Sequence, residues 1–328
     1  MNILLVGGTG SFGTAFLEHL EQIAYKAKVR VYSRDEAKQI GLKTRFTQLQ
    51  LETVIGDVRD EYAYAQATKG MDVVIHAAAL KHVPIGELFT EEALKTNTHG
   101  VINCVKACQA QGVRKAVFLS TDKAVYPINA YGMSKALGEK IMQSKISRDS
   151  DTVFTITRYG NVLGSRGSIL PLLKQKLSQR ETIPVTDFAM TRFLMTLEQA
   201  VSLVSYAIDK GQDGQLFIQK VPACDLRTLM EAYLRLHHGS SLDEYGYEIV
   251  GVRPGEKIHE VLATREELSR ARLLQAEEIL QVEPYQQQEL YRGTRREIAH
   301  EPDQDLSSDS VQMLSVDEVI ACLKQAGL

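Results

Sequence analysis

The sequence predicts an α/β fold: a doubly wound parallel sheet in the first half of the chain and a smaller C-terminal lobe in the second. Three observations carry this. Short β-rich runs alternate with amphipathic stretches, the rhythm of βαβ units. A glycine-rich turn, Gly7-Gly8-Thr9-Gly10-Ser11-Phe12-Gly13, follows the first of these runs directly. The runs Val73-Val74-Ile75 and Val117-Phe118-Leu119 are almost continuously apolar, as strands covered on both faces are.

In chain order, strands are expected at Ile3–Val6, Val29–Tyr32, Val54–Ile55, Val73–His76, Ala116–Leu119 and Val153–Tyr159, with helical stretches between them. After Gly160 the rhythm loosens. Helical patterns recur around Ser168–Gln179, Leu197–Asp209 and Leu226–His237, separated by turns rich in Pro, Gly and Asp. The polar stretch Gln286–Arg296 reads as a solvated loop or arm. Residues 1–160 are thus expected to form one unit and 161–328 mainly a second lobe with a tail, some later segments being free to return to the first.

A chain of 328 residues is long enough for such a domain with an appended lobe, and a net charge of -3 offers no basic footprint for nucleic acid. No apolar run approaches the roughly 20 residues of a membrane span. The start, Met1–Val6, runs straight into the glycine turn without the pattern of a secretory signal. Four cysteines, Cys104, Cys108, Cys224 and Cys322, are scattered without metal-ligand spacing and read as buried thiols. A soluble, reduced, cytoplasmic protein is expected.

Between an apolar strand and a helix, the pattern Gly7, Gly10, Gly13 is a dinucleotide fingerprint. Gly7 and Gly10, with Thr9, Ser11 and Phe12 in the same turn, allow close backbone approach to a pyrophosphate. Gly13 lets the helix pack close to the sheet, and the helix start presents N–H groups to negative charge. At the end of the second strand stand Ser33, Arg34 and Lys38, the two cations one helical turn apart and able to converge on a 2′-phosphate. Asp35 argues the other way unless it caps the next helix. NADP is therefore the expected cofactor. Asp57-Val58 is placed for an adenine edge, or Asp57 is a simple loop residue. Small residues, Ala77, Ala78 and Ala79, end the fourth strand.

Tyr131 and Lys135, four apart on one helical face, form a pair in which the ammonium favours the phenolate. Asp122 and Lys123 lie just upstream and are surplus to a simple hydride transfer. An extra acid and base beside a redox pair point to a second reaction, elimination of water.

The fingerprint and Y-x-x-x-K pair together resemble the short-chain dehydrogenase/reductase superfamily, in its extended, nucleotide-sugar branch. Within it the chain resembles the UDP-N-acetylglucosamine 4,6-dehydratases. The matching stretches are Gly7–Gly13, Ala77–Val83, Ser120–Lys135, Arg158–Ser168, Pro184–Asp187 with Met190–Phe193, and Arg253–Glu260.

That resemblance implies a Rossmann fold and a redox-neutral dehydration on a UDP-sugar. Tyr131 would take the proton of the 4-hydroxyl, Lys123 as a neutral amine the C5 proton, and protonated Asp122 would assist departure of the 6-hydroxyl. It also implies cofactor contacts from Lys81, Asn97, Ser120, Thr121, Tyr159, Asn161 and Val162. Substrate contacts would come from Lys81, Thr121, Asn161, Arg166, Thr186, Arg192, Arg253 and Glu256, with arginine forks suited to phosphate and a carboxylate to ribose hydroxyls. A homo-oligomer, with no nucleic-acid or membrane partner and no metal, completes the expectation. An epimerase or reductase of the same branch, or a non-catalytic NADP-binding regulator, remains open at this stage.

Overall fold

A computed structural model describes residues 1–144, 150–274, 278–285 and 303–328. The stretch Gln286–Arg296 lies outside the described residues. Six parallel strands, β1 (Ile3–Val6), β2 (Lys28–Ser33), β3 (Gln50–Ile55), β4 (Val73–His76), β5 (Lys115–Thr121) and β6 (Val153–Tyr159), lie in the order β3-β2-β1-β4-β5-β6. The strand Leu216–Gln219 continues the sheet in parallel beside β6, and Ile279–Val282 and Ala271–Leu274 extend it in antiparallel sense. The sheet of this doubly wound Rossmann fold therefore has nine strands, the last three drawn from beyond residue 200.

Alternation along the strands explains why both faces are covered. Leu4 and Val6 enter one core with Tyr64, Val105 and Phe118, whereas Ile3 and Leu5 enter the opposite core with Phe16, Leu17, Val29 and Val31. Helix Leu197–Lys210 closes this second face with Val201, Val204 and Ala207, so it belongs to the layer covering the sheet. A third core, including Leu170, Leu173, Ile183, Leu229, Tyr233 and Leu323, holds together the helices Ile169–Gln179, Leu226–His237 and Val316–Gln325 as the smaller lobe.

The chain runs in opposite senses away from β1 and β4, which makes their carboxyl ends the switch point where α/β sheets bind ligands. Cys104, Cys108 and Cys224 are buried thiols, and among the described residues no helix is long and apolar enough to cross a membrane.

Candidate active site

The switch point is shaped by residues that cannot carry a side chain. Gly7 has φ +78, and a Cβ there would stand 2.8 Å from the backbone N and Cα of Ala78. A Cβ on Gly13 would lie 2.3 Å from the Gly8 carbonyl oxygen. Helix Ser11–Gln22 starts from Gly10 with no side-chain cap, leaving its first N–H groups to face the crevice. These features fit the pyrophosphate of a dinucleotide.

At the end of β2, Asp35 caps helix Glu36–Arg45 by accepting from the Lys38 N–H and pairs with the Lys38 ammonium. Its carboxylate is thus accounted for by local structure. Arg34 is exposed and stands 3.8 Å from Asp57. Ser33 Oγ accepts a hydrogen bond from Gln39. Asp57 is gripped by Arg59, which donates through its backbone and its guanidinium. Val58 is buried against Gly100.

Asn97 is fully buried in a π-helical turn, Lys95–His99. It exchanges hydrogen bonds with both backbone groups of Leu80 and donates to Ser134 Oγ at 2.9 Å. Its amide therefore locks the loop after β4 to the helix Ala130–Met142. Ser120 likewise spends its hydroxyl inside the protein, donating to Glu139.

The candidate reaction centre forms where β5 ends. Asp122–Ala124 make a single 3₁₀ turn, and helix Ala130–Met142 is laid against it by Gly132, whose Cβ would fall 2.1 Å from the Lys123 carbonyl oxygen. Asn129 caps this helix through Gly132 N–H and donates to the Gly255 carbonyl at 2.7 Å. That bond moors the turn Arg253–Glu256, where Arg253 and Glu256 approach to 3.6 Å.

Burial pushes the Tyr131 phenol up to about 12, against the opposing pull of the Lys123 ammonium and a hydrogen bond with Thr121. Burial brings Lys135 down to about 7, opposed by Glu139. Lys135 donates to the Leu119 carbonyl and sits 3.9 Å over the Phe118 ring. The cation acting on Tyr131 here is therefore Lys123, although Lys135 shares its helical face. Tyr159, from β6, is also raised by burial and by its neighbour Tyr131.

Asp122 is 1% exposed and accepts from Thr121 at 2.7 Å and from Lys123 Nζ at 3.2 Å. Burial raises its pKa, the Lys123 charge opposes, and a second carboxylate, Glu260, reinforces the rise. Glu260 comes from the C-terminal lobe and lies 2.9 Å from Lys123 Nζ. For Lys123, burial works against the charge, yet Asp122 and Glu260 outweigh it and hold the ammonium well above the ordinary lysine value. The neutral amine expected from sequence is not the state this arrangement favours; two acids around one lysine are the reason.

The other candidate residues stand in different settings. Arg192 donates to the carbonyls of Thr191, Lys257 and Ile258 and reaches 3.9 Å from Glu260. Thr186 donates to Met190 Sδ at 3.1 Å. Asn161 Oδ1 is a buried acceptor without a partner, and Val162 follows it on a short strand. Lys81 is lowered by burial and by the charges of Arg166 and Lys123. Arg166 lies on the dinucleotide turn, where it donates to the Thr9 carbonyl and its N–H meets Ser11 Oγ at 3.2 Å.

Beneath the centre, Arg158 is held by Glu139, Glu267 and the Leu262 carbonyl. Neither this clamp nor Glu260 is assigned by sequence spacing.

Comparison with known proteins gives a consistent outcome. The polysaccharide biosynthesis protein family matches residues 3–283. A UDP-glucose 4-epimerase of Rickettsia bellii (strain RML369-C) is 42% identical over 274 residues, covering 82% of this chain and 79% of that protein. A UDP-N-acetylglucosamine 4,6-dehydratase (inverting) of Campylobacter jejuni subsp. jejuni serotype O:23/36 is 39% identical over 269 residues, covering 81% and 78%. Pen from Bacillus thuringiensis superposes with a TM-score of 0.89 at 34% identity, over 99% of this chain and 97% of that one.

Proposed function

Because the chain belongs to the polysaccharide biosynthesis protein family, among nucleotide-sugar dehydratases and epimerases, we propose that it is a UDP-N-acetylglucosamine 4,6-dehydratase using NADP. One observation carries this choice: the buried acid Asp122 and the base Lys123 stand in contact beside Tyr131. Epimerisation at C4 needs proton exchange at O4 only, and has no use for a second acid–base pair.

The dinucleotide would lie on the Gly7–Gly13 turn, with Arg34 and Lys38 available to its 2′-phosphate and Lys135 to its nicotinamide end. Hydride acceptance from C4 and return at C6 would be the chemistry it supplies when bound. Tyr131 takes the 4-hydroxyl proton, which requires its phenol to be drawn down from about 12 by nearby positive charge. Asp122, whose hold on a proton is strengthened by burial, would donate that proton to the 6-hydroxyl as it departs. Lys123 removes the C5 proton, made acidic by the adjacent ketone. Arg253 and Glu256, presented together by the turn moored to Asn129, hold the nucleotide, as do Arg192, Thr186 and Asn161. Arg166 serves both ends from the loop that crosses the dinucleotide turn.

A second reading, the 4-epimerase, is favoured by the Rickettsia relatives. Incubation with UDP-N-acetylglucosamine separates the two. The dehydratase gives a 4-keto product lighter by one water without consuming reductant, whereas a C4 epimer of unchanged mass would replace the proposal by the second reading.

We also place the expected homo-oligomer contact on the helices around Leu88, Phe89, Leu94, Met133 and Leu137, large apolar side chains exposed on neighbouring elements.

A further inference from the structure

Glu260 is the buried group that the reaction scheme leaves unused. It is 2% exposed, and its Oε1 contacts Lys123 Nζ at 2.9 Å, closer than Asp122 Oδ1 at 3.2 Å. Its backbone is fixed from two sides: its N–H donates to Ser308 Oγ, and its carbonyl accepts from the Ser308 N–H. Ser308 Oγ in turn meets Thr191. The lobe thus delivers one carboxylate oxygen to a lysine of the sheet. The other oxygen, Oε2, is buried without a partner, as is Asp122 Oδ2. Two carboxylates, each with a bare buried oxygen, flank one ammonium. Such a cluster holds protons that its members can exchange.

We propose that Glu260 is a positioning residue of the elimination centre, holding Lys123 through this contact and taking its proton when the lysine acts at C5. The inference rests on the dehydratase reading. In the exchange, one Lys123 N–H bond breaks as an Oε1–H bond forms on Glu260. The ammonium and carboxylate become an amine and a carboxylic acid, with no change in total charge. The free amine then takes the C5 proton as the C5–H bonding pair enters the C5–C6 bond, and the hydroxyl leaving C6 carries away the proton of Asp122. Protonation of C5 as the hydride reaches C6 uses the equivalent of the proton that Lys123 took, Glu260 hands its own back to Lys123, and the proton released from O4 to Tyr131 replaces the one Asp122 lost with water.

The charges facing Glu260 are Lys123, Arg192 and Lys257, with Asp122 beside Lys123; Tyr131 senses the same group. Burial opposes ionisation of Glu260, but the three cations keep its pKa below the ordinary glutamate value. Removing that negative charge lowers the protonation thresholds of both Asp122 and Lys123, because Glu260 raises each of them.

The test is Glu260→Gln in the full chain with NADP, following C5 exchange from UDP-N-acetylglucosamine in deuterated water against pH. Elimination is expected to fall by about 10²-fold near neutral pH. Both limbs of the bell-shaped profile should move down by at least about one pH unit. Nicotinamide reduction by the C4 step should fall far less than elimination does. Glu260→Asp should return the limbs to their parental position at reduced height. A Glu260→Gln profile with limbs unmoved, or C5 exchange equal to the parent's, overturns the proposal.

If the parent itself leaves the sugar unchanged, the dehydratase reading fails, and ¹⁵N titration of Lys123 in both proteins decides the contact separately. A lower Lys123 threshold in Glu260→Gln supports it; an unaltered one overturns it.

Discussion

Replacing Arg158 by Met tests the clamp beneath the active site. The Arg158 side chain is 3% exposed and makes contacts of 2.6 to 2.9 Å with Glu139 and Glu267, themselves 9% and 14% exposed. Methionine fills most of the volume but leaves both carboxylates without the guanidinium that bridges them. Removing one partner of a buried ion pair costs about 3–5 kcal/mol, a large share of the roughly 5–15 kcal/mol that holds a protein folded. At about 2 °C per kcal/mol for a chain of this size, Tm should fall by roughly 6–10 °C.

The pH dependence carries a sign. In the parent, burial pushes Glu267 up, but Arg158, helped by the Thr264 N–H and Arg270, more than compensates and keeps it below the ordinary glutamate value. Its contribution is therefore present above the ordinary glutamate value and is lost as pH falls through the depressed one. In the Met variant the burial of Glu267 is opposed only by the Thr264 N–H and Arg270, so its carboxyl binds a proton more readily than the parent's does. The deficit of the variant therefore shrinks as pH falls from neutral. The deficit should be largest at about pH 7.5 and visibly smaller at about pH 5, read by urea unfolding at both values. A deficit under about 1 kcal/mol at neutral pH, or one that does not shrink on acidification, would refute the reasoning.

Two further substitutions probe how the site is built. Gly132→Ala pushes a Cβ to 2.1 Å from the Lys123 carbonyl, so the turn and helix must separate. Turnover should drop by about 10²-fold and stability by about 1–3 kcal/mol, while Gly41→Ala, with nothing within 4 Å in its helix, should leave turnover unchanged. The double variant Arg34→Ala with Lys38→Ala should weaken NADP binding at least about tenfold, since hydrogen bonds to charged groups contribute about 1.5–3 kcal/mol. NAD binding should be nearly untouched; equal losses for both dinucleotides would place the 2′-phosphate elsewhere.

Local signals in the sequence identified the elements that local chemistry determines. β1, β4 and β6 begin and end where their apolar runs do. Gly7 and Gly13 were readable because the constraint on them arises within a few residues. β3 is longer than the Val54–Ile55 core, since Gln50–Thr53 lies on an edge where polar side chains are tolerated. Leu216–Gln219 and Ile279–Val282 joined the sheet unannounced, because pairing between distant segments leaves no periodic trace.

The same limit governs the site. Asp122, Lys123, Tyr131 and Lys135 are neighbours in sequence and stand out as a group. Glu260 reaches Lys123, and Glu267 reaches Arg158, only after the lobe has folded onto the sheet. The charge state of Lys123 follows from Asp122 together with that second acid, and the second acid could not be read from the Asp122-Lys123 pair.

The central claim is that Lys123 and Asp122 remove water across C5 and C6. The most direct measurement is NMR of the product formed from UDP-N-acetylglucosamine in deuterated water, with parent and Lys123→Ala compared. The account predicts deuterium at C5 of a 4-keto-6-deoxy sugar from the parent, and none from the variant, which still binds NADP. A product without C5 deuterium, or an unimpaired Lys123→Ala, would contradict it.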